Sequence, residues 1–205
     1  MKVYEKFFRD AYRQICLLTG PEVTEKINLR DVFDFPPEEE LTGFLTYGFI
    51  DKETGFNFEI LAGAKISDGR IKIFPGSYKK NVKLRRPEIE DAEIKILPEY
   101  ADAFRDKIQI IDDRQKVDEK KERTRFIKTI DALRHPNFPD DVAVLFFAEN
   151  LNPEYAWVRC SGEEENLISG KLLHDLQQNF KYKTGDEIKF GVTEFENEII
   201  CVLVE

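Results

Sequence analysis

The amino-acid sequence predicts an α+β fold in two parts. An apolar stripe with helical spacing opens the chain, and runs of β-branched and aromatic residues separated by glycine-containing turns follow it. A second group of short, evenly spaced strand patterns occupies the last third of the chain. We therefore expect an N-terminal helix on an antiparallel β-meander, a charged connector, and a small C-terminal five-stranded β-barrel or curled sheet.

The predicted N-terminal helix rests on apolar residues at steps of three and four. Such spacing places side chains on one side of a helix. The residues are Val3, Phe7, Ala11, Ile15 and Leu18. Gly20 and Pro21 then form a helix stop. Because the stripe needs an apolar partner, we expect the helix to cover one face of the sheet.

Strand patterns replace the helical spacing after residue 40. Three of them are joined by short turns that contain glycine, which is typical of an antiparallel meander. They cover residues 41–50, 56–66 and 71–74. Residues 82–86 and 92–97 are further strand candidates, and Pro98 is expected to open a helix through Asp106.

A highly charged segment, residues 112–125, is expected to separate the two parts. Eleven of its fourteen residues are Asp, Glu, Lys or Arg, and Val117 is its only aliphatic residue. Such a segment cannot bury a face, so it is either an exposed helix with charge pairs or a flexible connection. The predicted organisation is a helix-plus-sheet domain (1–111), the connector, and an acidic β-rich domain (126–205).

The C-terminal part opens with a short helical pattern at 126–133 and continues with five strand patterns. Five short strands at roughly even spacing are typical of a small barrel or a strongly curled sheet. They cover residues 142–147, 154–160, 167–173, 186–190 and 198–204.

One of these strands offers the best candidate for an interaction surface. Alternation places Tyr155, Trp157 and Arg159 on one face, while the small apolar Ala156 and Val158 point the other way and are the expected core side. Trp and Arg are enriched at the energetic centres of protein interfaces. The alternative is that this face is covered by the charged segment or by the N-terminal part.

A basic cluster near Tyr78 is the second candidate. Its members lie within eight residues: Lys79, Lys80, Lys83, Arg85 and Arg86. They would suit a phosphate group, a nucleic acid with Tyr78 stacked on a base, or an acidic partner. The alternative is a charged edge strand, on which lysines discourage unwanted pairing.

The sequence gives no support for catalysis, a metal or a cofactor. The two histidines, His135 and His174, lie far apart, and no zinc-binding spacing or phosphate-binding glycine loop occurs. His135 precedes Pro136 at a predicted helix end, so helix capping is the expected role. Acidic clusters occur at 112–113, 140–141 and 163–165, and turns and solvated hairpin tips account for them. We predict no catalytic residue.

The cysteines and the N-terminus indicate a compartment. Cys16, Cys160 and Cys201 are widely spaced and odd in number, which favours free thiols in a reducing environment. Charged residues interrupt the N-terminus, so no secretory signal is expected. The longest uncharged apolar run, residues 142–148, is too short to span a bilayer. We therefore expect a cytoplasmic protein without membrane contact.

The formal charge of −9 is concentrated in the C-terminal part. Residues 126–205 hold seven basic and fifteen acidic residues, whereas residues 1–125 hold 24 and 25. An acidic surface repels phosphate backbones, so nucleic acid is disfavoured as a partner. The same surface is compatible with a basic protein partner, and also with a homo-oligomer in which the basic cluster at 79–86 docks against the acidic part of a second copy.

Residues 139–190 carry a resemblance. An Asp-Asp-Val strand entry is followed by an acid-x-x-Trp-Val strand at 154–158, a Leu-rich strand, and a Gly-Asp turn at 185–186 into another strand. This order is similar to a group of small bacterial β-rich domains of uncharacterised function, some of which lie in toxin–immunity neighbourhoods. The resemblance implies a β-rich fold and names no activity.

The function we expect is a non-catalytic protein–protein interaction or accessory role in a bacterial cell. The resemblance and the acidic charge together prompt an immunity-like form of it, in which the protein masks a basic partner. One alternative is an anion- or nucleic-acid-binding module that uses residues 79–86. Another is an enzyme whose carboxylate-based site is assembled between the two parts.

Overall fold

The computed structural model describes residues 1–204 and shows an α+β protein. The chain divides into two compact units, Met1–Lys116 and Val117–Glu205. Each unit has its own apolar core.

The first unit is built on a six-stranded sheet in which each strand pair is antiparallel. The order is β4-β3-β2-β1-β6, and β5 also pairs with β3. The strands are β1 (Ile15–Thr19), β2 (Gly43–Asp51), β3 (Gly55–Ser67), β4 (Arg70–Pro75), β5 (Lys83–Arg85) and β6 (Glu93–Ile96). The predicted meander is confirmed as β2-β3-β4.

Short helices surround this sheet. The α-helices are α1 (Phe8–Ala11), α2 (Pro21–Thr24), α3 (Leu29–Val32) and α4 (Arg105–Arg114). Single 3-10 turns lie at Val3–Glu5, Arg86–Glu88, Pro98–Tyr100 and Asp102–Phe104. The helix predicted from Pro98 to Asp106 is therefore a pair of 3-10 turns that leads into α4.

The prediction of one N-terminal helix up to Gly20 is wrong. Helical structure ends at Ala11, Arg13 adopts a positive φ of 55°, and Ile15–Thr19 is a central strand between β2 and β6. The residues from Ile15 to Leu18 are all buried, so this run is apolar on both faces. A short run of that kind satisfies a helical stripe and a doubly buried strand equally well.

The sheet of the first unit is covered on both sides. Cys16 and Leu18 belong to the core that contains Val3, Phe8 and Ile89. Ile15 and Leu17 point the other way, into a second core. This core contains Phe104, which directly precedes α4, and Ile111, which lies within α4. A three-layer arrangement of this kind explains why β2 and β3 are buried along most of their length.

The second unit is a closed five-stranded barrel, as the sequence predicts. The order is β10-β11-β7-β8-β9, and neighbouring strands are antiparallel except for β11 and β7. The strands are β7 (Asp141–Phe146), β8 (Glu154–Glu164), β9 (Leu167–Leu172), β10 (Glu187–Phe195) and β11 (Glu198–Val204). Ahead of them lie α5 (Glu119–Arg125) and a 3-10 helix at Lys128–Leu133.

The predicted connector, residues 112–125, requires correction. Its first residues end α4, where Asp112 accepts a hydrogen bond from the Tyr47 hydroxyl at 3.0 Å. Its last residues form α5, in which the Arg125 side chain is almost fully buried. The two units meet at the peptide bond after Lys116. Charge density misled the prediction because these charges have partners inside each unit.

Candidate functional site

The outer surface of the barrel differs in character from one side to the other. Most outward side chains of β7, of β11 and of the first half of β8 are apolar or aromatic, with exceptions such as Arg159 and Glu198; we call the apolar and aromatic set the apolar barrel face. It consists of Tyr155, Trp157, Ala143, Leu145, Ile200, Val202 and Val204. On β9 and β10, by contrast, outward positions hold polar residues such as Ser169, Lys171, Lys189 and Thr193.

Strand register brings the members of the apolar barrel face side by side. Ala143 pairs with Trp157 and Leu145 with Tyr155 across β7 and β8. Val202 pairs with Leu145 across the parallel contact between β11 and β7. Paired residues lie on the same face of a sheet. The face therefore forms one continuous surface across three strands.

The opposite side chains of these strands fill the barrel core. Val142, Val144, Ala156, Val158 and Cys201 are at most 3% exposed. The sequence-based assignment of Ala156 and Val158 to the core is thus confirmed. Since β7 and β11 present apolar side chains on both faces, they have the pattern of strands buried on both sides.

Several members of the apolar barrel face remain open to solvent. Tyr155 is 54% exposed and Val204 is 42% exposed, while Leu145, Trp157 and Val202 are half-buried. A contiguous apolar surface on one side of a domain typically marks a site of interaction.

Trp157 is held in place by the only two histidines of the chain. Its backbone N–H donates to Nε2 of His174 at 3.2 Å, and its ring meets the ring of His135 edge-on at 5.2 Å. His135 Nδ1 in turn accepts from the backbone N–H groups of Asn137 and Phe138. The helix-end role predicted for His135 is therefore replaced by a loop-capping one, and both histidines act as hydrogen-bond acceptors.

Arg159 differs from its two strand neighbours because its guanidinium is already bound. It donates to both carboxylate oxygens of Asp141, at 2.6 and 2.8 Å, and lies over the Phe138 ring. These hydrogen bonds raise the pKa of Arg159 above its ordinary value. Of the predicted trio, Tyr155 is exposed, Trp157 is half-buried, and Arg159 serves the barrel's own structure.

A buried ionic cluster lies directly before the start of β7. Arg125 donates to both oxygens of Asp140 at 2.9 Å, and the Lys121 ammonium lies 3.2 Å from the same carboxylate. Burial acts to raise the pKa of Asp140, but hydrogen bonding and charge from Arg125, with Lys121, outweigh burial and hold the pKa below its ordinary value. The Asp140-Asp141 pair is thus a structural anchor.

Sequence reasoning missed this ionic cluster. Asp140 and Asp141 look like turn residues because they follow a proline. Arg125 lies in a segment whose composition is typical of solvent-exposed helices. An available signal was the group of basic residues at 120–125 that precedes the Asp140-Asp141 pair in the same unit.

Two members of the predicted basic cluster are bound to backbone carbonyl groups of the first unit. Arg86 is buried and donates to the carbonyl of Lys6 at 2.6 Å, and burial lowers its pKa. The Lys80 ammonium donates to the carbonyls of Arg30 and Phe33, each at 2.7 Å.

The other members of the cluster are more exposed. The Lys83 ammonium lies 3.1 Å from Asp51, and Arg85 is 3.8 Å from Glu88. Lys79 has an exposed side chain. Four of the five cations therefore have partners within the unit, so the residues do not form one open basic patch.

Within residues 1–204, no group of three or more His, Cys, Asp or Glu side chains is placed to hold a metal ion. All three cysteines are free and buried. An open groove of about 600 Å³ beside Phe147 and Phe180 holds one carboxylate, that of Glu149.

Comparisons with known proteins give no relative for this chain: no family model, curated protein or solved structure matches it. Across residues 1–204, no helix is long and apolar enough to cross a membrane.

Proposed function

We propose that this chain is a non-catalytic protein-interaction or accessory protein that binds another protein through the apolar barrel face. The observation that carries the proposal is the contrast between the two sides of one barrel. The apolar face has Tyr155, Leu145 and Val202 in direct register, whereas β9 and β10 present polar side chains at the corresponding outward positions.

The composition of the face fits a binding surface. Aromatic residues are enriched at interface centres, where a few of them contribute most of the binding energy. Tyr155 and Trp157 provide such residues on a rigid strand, and the Trp157 ring already packs edge-on against the His135 ring. Little side-chain entropy would be lost when a partner docks there.

Charge favours a partner that differs from this chain. Residues 126–205 carry eight more acidic than basic residues. A second copy would bring two negatively charged units together, whereas a protein with a basic rim around its apolar contact would be attracted. The resemblance of residues 139–190 prompts a narrower form of the proposal. In that form, the chain is an immunity-like protein of the bacterial cytoplasm that masks a basic partner.

Site-specific photo-crosslinking tests the proposal. A benzoylphenylalanine in place of Tyr155 should crosslink one heterologous protein in native extract, and the same group in place of Ser169, on the polar side, should not. The captured protein is then purified and its affinity measured. We expect Leu145→Glu to weaken binding by about 30-fold or more, and Ser169→Glu by less than about twofold.

Two results would overturn the proposal. One is crosslinking at position 155 to a second copy of this chain alone, or to nothing. The other is an affinity that is equal for Leu145→Glu and the wild type.

The alternatives have less support. Anion or nucleic-acid binding through residues 79–86 would require the protein to release Arg86 and Lys80 from backbone carbonyls. An enzyme with a carboxylate-based site would require uncommitted acids, but Asp140 and Asp141 are each paired with an arginine.

A further inference from the structure

The hairpin of β10 and β11 extends beyond the barrel. In β10, Glu187–Phe190 pair with β9, whereas residues 191–195 pair with β11 alone. In β11, Cys201 and Val202 pair with β7, whereas residues 198–200 pair with β10 alone. The tip of the hairpin is therefore a two-stranded ribbon whose β10 edge has no strand partner.

Backbone alternation shows which groups β10 presents at its open edge. The N–H of Leu172 in β9 donates to the carbonyl of Asp186. Since N–H and C=O groups alternate sides along a strand, even-numbered residues of β10 point these groups toward the β9 side. Past the end of β9, Val192 and Glu194 present theirs at the open edge.

The side chains of the hairpin tip are as open as its backbone. Residues 193–199 are all exposed, with Phe195 at 61% and Ile199 at 41%. Glu194, Glu196 and Glu198 have no ion-pair partner among residues 1–204. An exposed strand edge flanked by apolar side chains is a template for pairing with another chain.

We propose that the open edge of β10 at residues 191–195 accepts an extended segment of a partner protein as an added β-strand, and that this segment alternates basic and apolar residues. Strand addition takes its affinity from main-chain hydrogen bonds and its selectivity from alternate side chains. The added strand would carry Lys or Arg on the sheet face that Glu194 occupies. It would carry apolar residues on the opposite face, which Phe195 occupies.

Glu194, Glu196 and Glu198 are the reason that we expect a basic partner strand. Carboxylates at an open edge repel a strand of like charge, including the same hairpin of a second copy, and attract one of opposite charge. The open edge lies on the β9 side of β10, away from β11 and from Leu145 and Tyr155 of the apolar barrel face, so its test is independent of the proposed function.

Fluorescence anisotropy with a labelled peptide tests the inference on the full chain. The probe is an alternating Lys-Val peptide of about nine residues, a normal strand length. The control peptide has the same sequence and charge, but every second amide is N-methylated, so one edge cannot donate hydrogen bonds. We expect the probe to bind at least about tenfold more tightly than the N-methylated control.

Two variants separate strand addition from plain charge attraction. Glu194→Pro removes the edge N–H while the hydrogen bonds to β11 remain, because proline is tolerated on an edge strand. Glu194→Gln keeps the N–H and loses one charge. Relative to wild type, we expect Glu194→Pro to reduce probe affinity by about tenfold or more, and Glu194→Gln by about threefold. Circular dichroism verifies that both variants are folded.

Equal binding of the probe and its N-methylated control would overturn the inference, as would equal loss in the proline and glutamine variants. Leu145→Glu, which tests the apolar barrel face, is expected to bind the probe like wild type. A loss in that variant would mean that the probe binds the apolar face, and would also overturn the inference.

Discussion

The carboxylate of Asp140 shows how much a single buried charge depends on its partners. It lies between Arg125 and Lys121 and is almost excluded from solvent. Removal of one member of a buried ion pair is costly because the remaining charge stays buried without compensation. Arg159 and Asp141 provide the comparison, since this neighbouring pair retains access to solvent on the arginine side.

We predict that Asp140→Asn lowers the free energy of unfolding by about 3 kcal/mol, because Arg125 would stay buried without its counter-charge. Asp141→Asn, the matched control, should cost about 1 kcal/mol, since Arg159 can turn toward water. Urea denaturation of both variants measures the difference. Equal losses would mean that burial does not set the importance of the two pairs.

The same carboxylate gives the unit a dependence on pH. The pKa of Asp140 is lower in the folded protein than its ordinary value of 3.8. A carboxylate whose pKa is lowered by folding stabilises the fold at pH values above its unfolded-state pKa. That contribution is lost as the pH falls toward its folded-state pKa. We predict that stability declines below about pH 4 and that the decline is shallower in Asp140→Asn. Identical slopes between about pH 4 and pH 2 would contradict this.

The thiols provide a second prediction at the residue scale. Burial raises the pKa of Cys16, Cys160 and Cys201 to about 12. The thiolate is the reactive form, so we expect no reaction of the native protein with Ellman's reagent at about pH 8. In guanidinium chloride, all three thiols should react. Rapid modification of a native thiol would show that its strand opens locally.

At the scale of single elements, close backbone packing decides which glycines can be replaced. A Cβ on Gly170 in β9 would lie 2.7 Å from the carbonyl oxygen of Arg159 and 2.7 Å from a methyl group of Val158. A Cβ on Gly191 in β10 would meet its nearest neighbours, Val204 and Leu167, at 3.6 and 3.7 Å. The first site is too tight for a side chain, and the second is not.

We therefore predict that Gly170→Ala destabilises the barrel by about 2 kcal/mol through overpacking. Gly191→Ala is the matched control in the adjacent strand and should change stability by less than about 0.5 kcal/mol. Thermal unfolding of the two variants tests this. A neutral Gly170→Ala would mean that β8 and β9 can separate locally at no cost.

Elements also show what could be predicted from sequence alone. The five barrel strands were predicted because alternation and turn residues mark each strand locally. β1 was missed because a short run that is apolar on both faces has no distinctive period. The end of β10 was predicted at residue 190, but the strand continues to Phe195. This extension, Gly-Val-Thr-Glu-Phe, mixes small, polar and apolar residues and lacks the apolar run that marks a core strand.

The candidate site was predicted only in part, for a topological reason. Tyr155 and Trp157 could be assigned to one face because they belong to a single strand. Leu145 and Val202 could be assigned to the same face only from the structure, because barrel closure places β11 beside β7. No local pattern indicates which distant strands become neighbours. The arginine partner of Asp140 and the backbone carbonyl partners of Arg86 escaped prediction for the same reason.

At the scale of the whole molecule, the division after Lys116 has a measurable consequence. Lys116 is exposed and lies outside regular structure, between α4 and α5. Such segments are preferred sites of proteolysis. We predict that limited trypsin digestion first produces a stable fragment that begins at Val117, identified by N-terminal sequencing. Lys116→Gln should delay this cut, and an earlier cut within either unit would contradict the assignment of the boundary.

The parallel contact between β7 and β11 also bears on how the protein emerges from the ribosome. β7 pairs with β8 early, but it can pair with β11 only after β11 has been synthesised. A nascent chain that ends in β10 therefore has an open sheet in place of a closed barrel. Non-local pairing of this kind is slow to form, and unpaired edges are prone to aggregate. In contrast, the strands of the first unit have all been translated before β7. This unit can therefore fold while the last strand of the barrel is still being synthesised.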